Sequence, residues 1–292
     1  MAFHIWTDTS ANLPAALCKK LGIGVLPFHF IHNGGAEQCC LDTDAFPYDA
    51  YYQDLKAGGT ATTSMINPEA FREVFEREAQ AGNDVLYIGM SSGISGAYGA
   101  SALAAREVGE MYPTRRIVAF DTKGASLGEG LLVLAAQKLQ KAGSDLKKVV
   151  QELDRLRTHM MQIFTVDDLM YLQRGGRISR MKAVIASVLN IKPILRGDEE
   201  GRIVVTDKTV GRKASIRALA DDLIANIDEK DTCGIGIAQA GCTADTDALI
   251  RRIRAKLPNI PILTVPYEPV TGSHVGPGAL ALFYISRSVR AV

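Results

Sequence analysis

Short apolar runs alternate with helix-like patterns along this chain, and that alternation is what most limits its fold. Strand-like runs at 3–7, 85–88 and 117–120 are each followed by a turn and then by apolar residues at helical spacing. Helices are expected near 14–22, 48–56, 68–79, 97–110, 128–141 and 145–157. Strands joined through helices pair in parallel, so this stretch reads as a mainly parallel sheet covered by helices. One insertion breaks the rhythm. Residues 25–31 are strand-like, His32-Asn33-Gly34-Gly35 reads as a hairpin turn, and a return strand follows through 39–41.

The pattern changes near Thr158, which divides the chain into expected units of 1–157 and 158–292. After it come a strand at 161–166, a helix ending in Arg174-Gly175-Gly176 and a helix over 181–188. Strands at 191–195 and 203–206 flank the turn at 197–201. A helix near 214–227, a strand at 235–238, a helix near 244–256 and a strand at 262–265 follow. A loop rich in glycine and proline, 273–278, precedes an apolar tail.

Composition narrows the function classes. The 292 residues are 47% hydrophobic and 22% charged, with 33 basic against 32 acidic side chains. A net charge of +1 leaves no basic footprint for nucleic acid. No apolar run has the length of a membrane span, and the N-terminus lacks a basic start followed by an apolar stretch. The five cysteines are odd in number and none stands in a C-x-x-C, which argues against a disulfide framework and against a zinc site. The expectation is a reduced, cytoplasmic protein with no metal.

Four stretches carry candidate chemistry. Ser91-Ser92-Gly93-Ile94-Ser95-Gly96 turns from a strand into a helix, a place where backbone N–H groups and hydroxyls meet an anion or simply cap the helix. Gly89, Ser91 and Gly93 also spell the nucleophile-elbow pattern of serine hydrolases, with His274 late in the chain as the histidine of a triad. Thr62, Thr63 and Ser64 precede a helix, as caps or as ligand donors. Arg174 and Arg177 flank a glycine pair at a helix end, where they meet either a carboxylate or phosphate or the helix C-terminus itself. Lys192-Pro193 reads as a strand-edge feature or a charge for a partner.

In order along the chain these stretches resemble the DegV family of fatty-acid-binding proteins, which includes the FakB-type subunits of bacterial fatty acid kinase. The matching segments are TDTSANLP (7–14), TTSMINP (62–68), SSGISGAY (91–98), FDTKGASLGEG (120–130), LMYLQRGGRIS (169–179), LNIKPIL (189–195) and SHVGPGALAL (273–282). Two positions depart from the family pattern. Thr9 stands where a serine is usual, and Met65-Ile66-Asn67 replaces a Q-P-S, which alters the wall beside the hydroxyl pair.

The resemblance implies an α/β fold of two domains, a three-layer α/β/α unit with a parallel sheet and a two-layer α/β unit with a mixed sheet. A long-chain fatty acid would lie buried between them, with no other cofactor. Thr63, Ser95, Gly96 and His274 would hold its carboxylate, assisted by backbone amides of the 91–96 turn, with Ser64, Ser92 and Ile94 as further contributors. Ile94, Phe164 and the 28–31 strand are expected to supply wall. Arg174, and less directly Arg177, would face a separate fatty acid kinase that phosphorylates the presented acid. A serine hydrolase using Ser91 with His274, and a lipid sensor without a kinase, are the alternatives.

Overall fold

The computed structural model describes residues 3–178, 190–231 and 233–290. The first half runs β1 (Phe3–Asp8), α1 (Ala15–Leu21), β2 (Gly24–Leu26), β3 (His29–His32), β4 (Glu37–Cys39), α2 (Tyr48–Lys56) and β5 (Ala61–Ser64). It continues with α3 (Pro68–Gln80), β6 (Asp84–Gly89), α4 (Ala97–Met111), β7 (Ile117–Asp121), α5 (Leu127–Lys141) and α6 (Leu146–His159). The second half comprises β8 (Met160–Thr165), α7 (Met170–Arg174), β9 (Ile191–Gly197), β10 (Ile203–Val210), α8 (Arg212–Asn226) and β11 (Ile235–Gln239). It ends with α9 (Thr243–Arg254), β12 (Ile262–Pro266), α10 (Pro269–Val275) and β13 (Leu280–Ile285). The helix expected over 181–188, and Ser179, lie outside the described residues.

This is an α/β fold with two principal sheets. The first is all parallel, in the order β2-β1-β6-β7, as the strand–helix alternation requires. The second is mixed, in the order β10-β9-β8-β13-β11-β12, where β11 and β12 are parallel and the other pairs antiparallel. Helix α5 packs against strands of both sheets, which explains its sequence. Leu131, Leu132, Val133, Ala135 and Ala136 bury nearly its whole circumference, as a helix covered on several sides demands. The apolar tail is β13, an interior strand of the mixed sheet with all six residues buried. Among the described residues no helix is long and apolar enough to cross a membrane.

Four expectations need correction. The run at 25–31 is two strands, because Pro27 has no N–H to give a ladder and restrains Leu26 before it. β2 stays in the parallel sheet, whereas β3 enters a separate antiparallel sheet, β4-β3-β5. The predicted turn is present, with Asn33 and Gly34 both at positive φ, but the return strand is Glu37–Cys39. Thr62, Thr63 and Ser64 are not helix caps. They lie in β5, with Thr63 opposite Phe30, and it is Asn67 that caps α3 by accepting from the Glu69 N–H at 3.0 Å. His274 stands in a helix instead of a loop. Glu268 starts that helix by accepting the N–H of Val270 at 2.7 Å, and Pro269 fits its first turn.

Helix α10 belongs to the second half of the chain but packs on α2, β3 and β5 of the first. Tyr51 and Tyr52 of α2 donate to the carbonyls of Pro269 and Tyr267 at 3.0 and 2.7 Å. Asn12 donates to the Pro266 carbonyl at 2.7 Å and accepts from the Glu268 N–H at 2.8 Å. These bonds fix His274 against β5.

Candidate functional site

A cleft of about 890 Å3, partly open to solvent, lies beyond the C-terminal ends of β6 and β7. Open parallel sheets place ligands at such strand ends. Its wall is mostly apolar, with Phe28, Met90, Ile94, Phe164, Leu172 and Phe283 among its residues. Phe28 precedes β3, so that strand itself contributes no wall; Ile94 and Phe164 stand where the sequence placed them.

At one edge Thr63 Oγ1 lies 2.8 Å from His274 Nε2. Thr63 and Ser64 both border the cleft, but the Ser64 hydroxyl is engaged elsewhere, donating to Glu37 at 2.6 Å. Burial, and then the charge of Arg177, pull the His274 imidazole down to about 4, so it is neutral at pH 7. If its Nε2 carries the proton, it donates to Thr63 Oγ1 and leaves the single proton of Thr63 for a ligand. Arg177 is half-buried and donates to the Gly175 carbonyl, and burial lowers its pKa. Gly175 meets the imidazole closely, since a Cβ there would stand 2.3 Å from His274 Nδ1.

The 91–96 turn departs from the expected nest of amides. Ser91 N–H donates to the Gly124 carbonyl at 2.8 Å, and Ile94 and Ser95 N–H both donate to the Ser91 carbonyl, at 3.2 and 3.1 Å. Gly93 N–H is held by Ser91 Oγ at 3.0 Å and Ser92 N–H by Asp121 at 3.1 Å. Among the described residues, Gly96 alone keeps an N–H of this turn without a partner. Ser95 Oγ accepts from the Ala97 N–H at 3.2 Å, which leaves its own proton to give. Ser92 is exposed and its hydroxyl accepts from Lys123 Nζ at 2.9 Å, so it stands off the cleft.

The nucleophile reading of Ser91 does not survive the geometry. Ser91 is fully buried and its hydroxyl donates to the Gly201 carbonyl at 2.9 Å, while His274 is paired with Thr63. A serine whose proton is held by a backbone carbonyl has no base to activate it.

Thr63, Arg177 and His274 also line an outer groove, with Thr60, Tyr171 and Arg174. The Thr63–His274 pair thus stands where the interior cleft meets the surface. Arg174 is exposed, and its guanidinium lies over the Tyr171 ring at 4.7 Å.

A family profile described as "Uncharacterised protein, DegV family" matches residues 2–287. The chain belongs to the DegV family. A DegV domain-containing protein of Clostridium perfringens is 36% identical over 290 residues, covering 97% of each chain. Among solved structures, a DegV family protein of Thermus thermophilus described as fatty-acid-binding superposes with a TM-score of 0.83 at 30% identity, covering 98% of this chain and 100% of the other. DegV of Bacillus subtilis, described as a fatty acid binding protein, gives 0.81 at 26% identity, covering 98% and 100%.

Two cleft residues of this DegV chain escaped the sequence reading. Thr271 and Ser126 line the cleft, and their hydroxyls are buried without a partner among the described residues. Ser126 sits inside the FDTKGASLGEG segment that marks the family resemblance, but nothing local distinguishes it from a helix cap. Thr271 becomes visible only once 269–275 is known to be helical, since it then lies one turn before His274 on the same face.

Proposed function

We propose that this chain carries one long-chain fatty acid and presents its carboxylate to a separate fatty acid kinase. The acyl chain occupies the apolar cleft between the units 1–157 and 158–292. Its carboxylate accepts hydrogen bonds from the hydroxyls of Thr63 and Ser95 and from the Gly96 N–H, with Thr271 and His274 beside them and the Arg177 charge nearby. The observation that carries this reading is the Thr63–His274 pair at the junction of an apolar cleft and an open groove.

Physical chemistry supports it on both ends. A buried carboxylate is costly without charge-assisted donors, and the hydroxyls of Thr63 and Ser95 supply them. Burying about 14 methylenes at roughly 0.8 kcal/mol each contributes about 11 kcal/mol before the costs of association. The fatty-acid binding named for the Thermus and Bacillus proteins agrees with this ligand class. In this reading the phosphoryl transfer that yields an acyl phosphate belongs to the partner, which docks on the groove beside Arg174. The setting is cytoplasmic.

Mass spectrometry of the purified protein, native and then after organic extraction, tests the carrier reading. One fatty acid per chain is the expected result. A protein that emerges empty and takes up neither palmitate nor oleate is not a carrier.

A further inference from the structure

The polar groups around the cleft differ in how they are engaged. Thr63 pairs with His274, Ser64 with Glu37, and Ser95 with the Ala97 N–H. Gln162 uses both ends of its amide on the backbone: Oε1 accepts from the Ala125 N–H at 3.1 Å and Nε2 donates to the Lys123 carbonyl at 3.0 Å. The hydroxyls of Thr271 and Ser126 are instead buried without a partner among the described residues, and they stand on different elements. Thr271 belongs with the carboxylate end through its position beside His274. Ser126 sits at the start of α5, next to Ala125 and its bond to Gln162.

The surroundings of Ser126 are those of a tail-binding wall. Gln162 and Phe164 point to one face of β8, Phe283 is the register partner of Gln162 on β13, and all three line the cleft with Ser126. Ser126 is 1% exposed and makes no capping bond to α5. Its φ of 54° with ψ of −141° is a backbone state that glycine adopts without a Cβ penalty. A buried hydroxyl without a partner costs about 1–3 kcal/mol. Serine therefore brings two local costs here and, among the described residues, no bond that offsets them.

The geometry points to a second polar subsite, resting on the fatty-acid reading above, in which Ser126 Oγ donates to a hydroxyl oxygen carried along the acyl chain. The ligand class it selects is a hydroxylated long-chain fatty acid, held by its carboxylate at Thr63 and Ser95 and by its chain oxygen at Ser126. A hydrocarbon chain leaves the Ser126 hydroxyl unpaired, whereas an oxygen at the matching carbon satisfies it. Sites that bond a ligand hydroxyl discriminate more sharply than sites that only measure chain length.

The test is displacement of a fluorescent fatty acid from the delipidated full chain. The competitors are octadecanoic acid and a positional series of monohydroxy octadecanoic acids. The wild type should favour one position, and in Ser126→Ala the ratio of its Kd to that of octadecanoic acid should rise about tenfold. Octadecanoic acid itself should bind the variant no more weakly. Ser126→Gly, which also relaxes the backbone, should give the same ratio and carries the comparison if the alanine variant melts early. Equal ratios across the series in all three proteins would overturn the subsite while leaving the carrier reading in place. A wild type that binds neither octadecanoic acid nor any hydroxy acid overturns both.

Discussion

The carboxyl groups of Asp8 and Glu129 share one serine hydroxyl: Ser10 Oγ lies 2.5 Å from Asp8 Oδ1 and 2.6 Å from Glu129 Oε2. A hydroxyl has one proton to give, so one of the two acids must be protonated and donate back. Asp8 also accepts from the Ser10 N–H, the Tyr87 hydroxyl and the Met90 N–H, at 2.8, 2.6 and 3.3 Å. The charge therefore rests on Asp8 and the proton on Glu129. Burial raises both carboxyls, Glu129 the further because the Asp8 charge adds to it. This cluster lies under β1 and α5 and holds the loop that carries Asn12 against Glu268.

The unfolded chain releases the Glu129 proton at lower pH than the folded protein does. Stability from this group is therefore fullest below the ordinary carboxylate range and falls as pH rises above it. Glu268, pushed up to about 7 by burial, acts in the same sense between about pH 4.5 and 7. Glu129→Gln keeps the bonds to Thr7 and Ser10 and removes the titration. Thermal melts should show a Tm equal to or a few degrees above wild type at pH 8 and a flatter decline with pH. A steeper decline would place the proton elsewhere.

His274 titrates in the opposite sense. Its folded value of about 4 lies below the ordinary 6.5, so its contribution to stability grows as pH rises through that interval. A carboxylate beside it favours the imidazolium. In a histidine NMR titration, palmitate should move the His274 midpoint upward; an unchanged or lower midpoint would remove His274 from the carboxylate site.

Thr63→Val and Ser95→Ala each delete one donor to a charged group. Each should weaken palmitate binding about 10- to 100-fold by displacement titration. Thr63→Ser, which keeps the hydroxyl, should retain most of the affinity.

Gly175 has φ of −69°, which alanine adopts without strain. Its Cβ would nonetheless meet the His274 imidazole. Gly175→Ala should fold, shift the His274 ring, and lower palmitate affinity about tenfold or more. Wild-type affinity in this variant would show that the ring position is not needed for binding.

Arg174 stands on the surface side of the groove. Arg174→Ala should leave the palmitate Kd within about twofold and reduce kinase-dependent acyl phosphate formation about tenfold. Loss of the lipid would instead put Arg174 in the binding site.

The sequence by itself determined the α/β class, the parallel sheet of the first half and the places where chemistry gathers. These are written in local patterns: the apolar run 85–88 within β6, the Asn33-Gly34 turn, and hydroxyls and glycines at strand ends. The tertiary structure decided which groups are available. Hydroxyl residues at 91, 92 and 95 look alike along the chain. Contacts with Gly201, Lys123 and Ala97, from the β9–β10 turn, the loop after β7 and the next helix, engage each differently and leave only Ser95 with a proton to give the cleft. In the same way Pro27 marks a break, but only pairing with β5 sets Phe30 opposite Thr63, and only the cap at Glu268 with the bonds from Tyr51 and Tyr52 brings His274 to meet it. Periodicity is a property of neighbours in sequence, whereas a hydrogen-bond partner across some two hundred residues is chosen by packing.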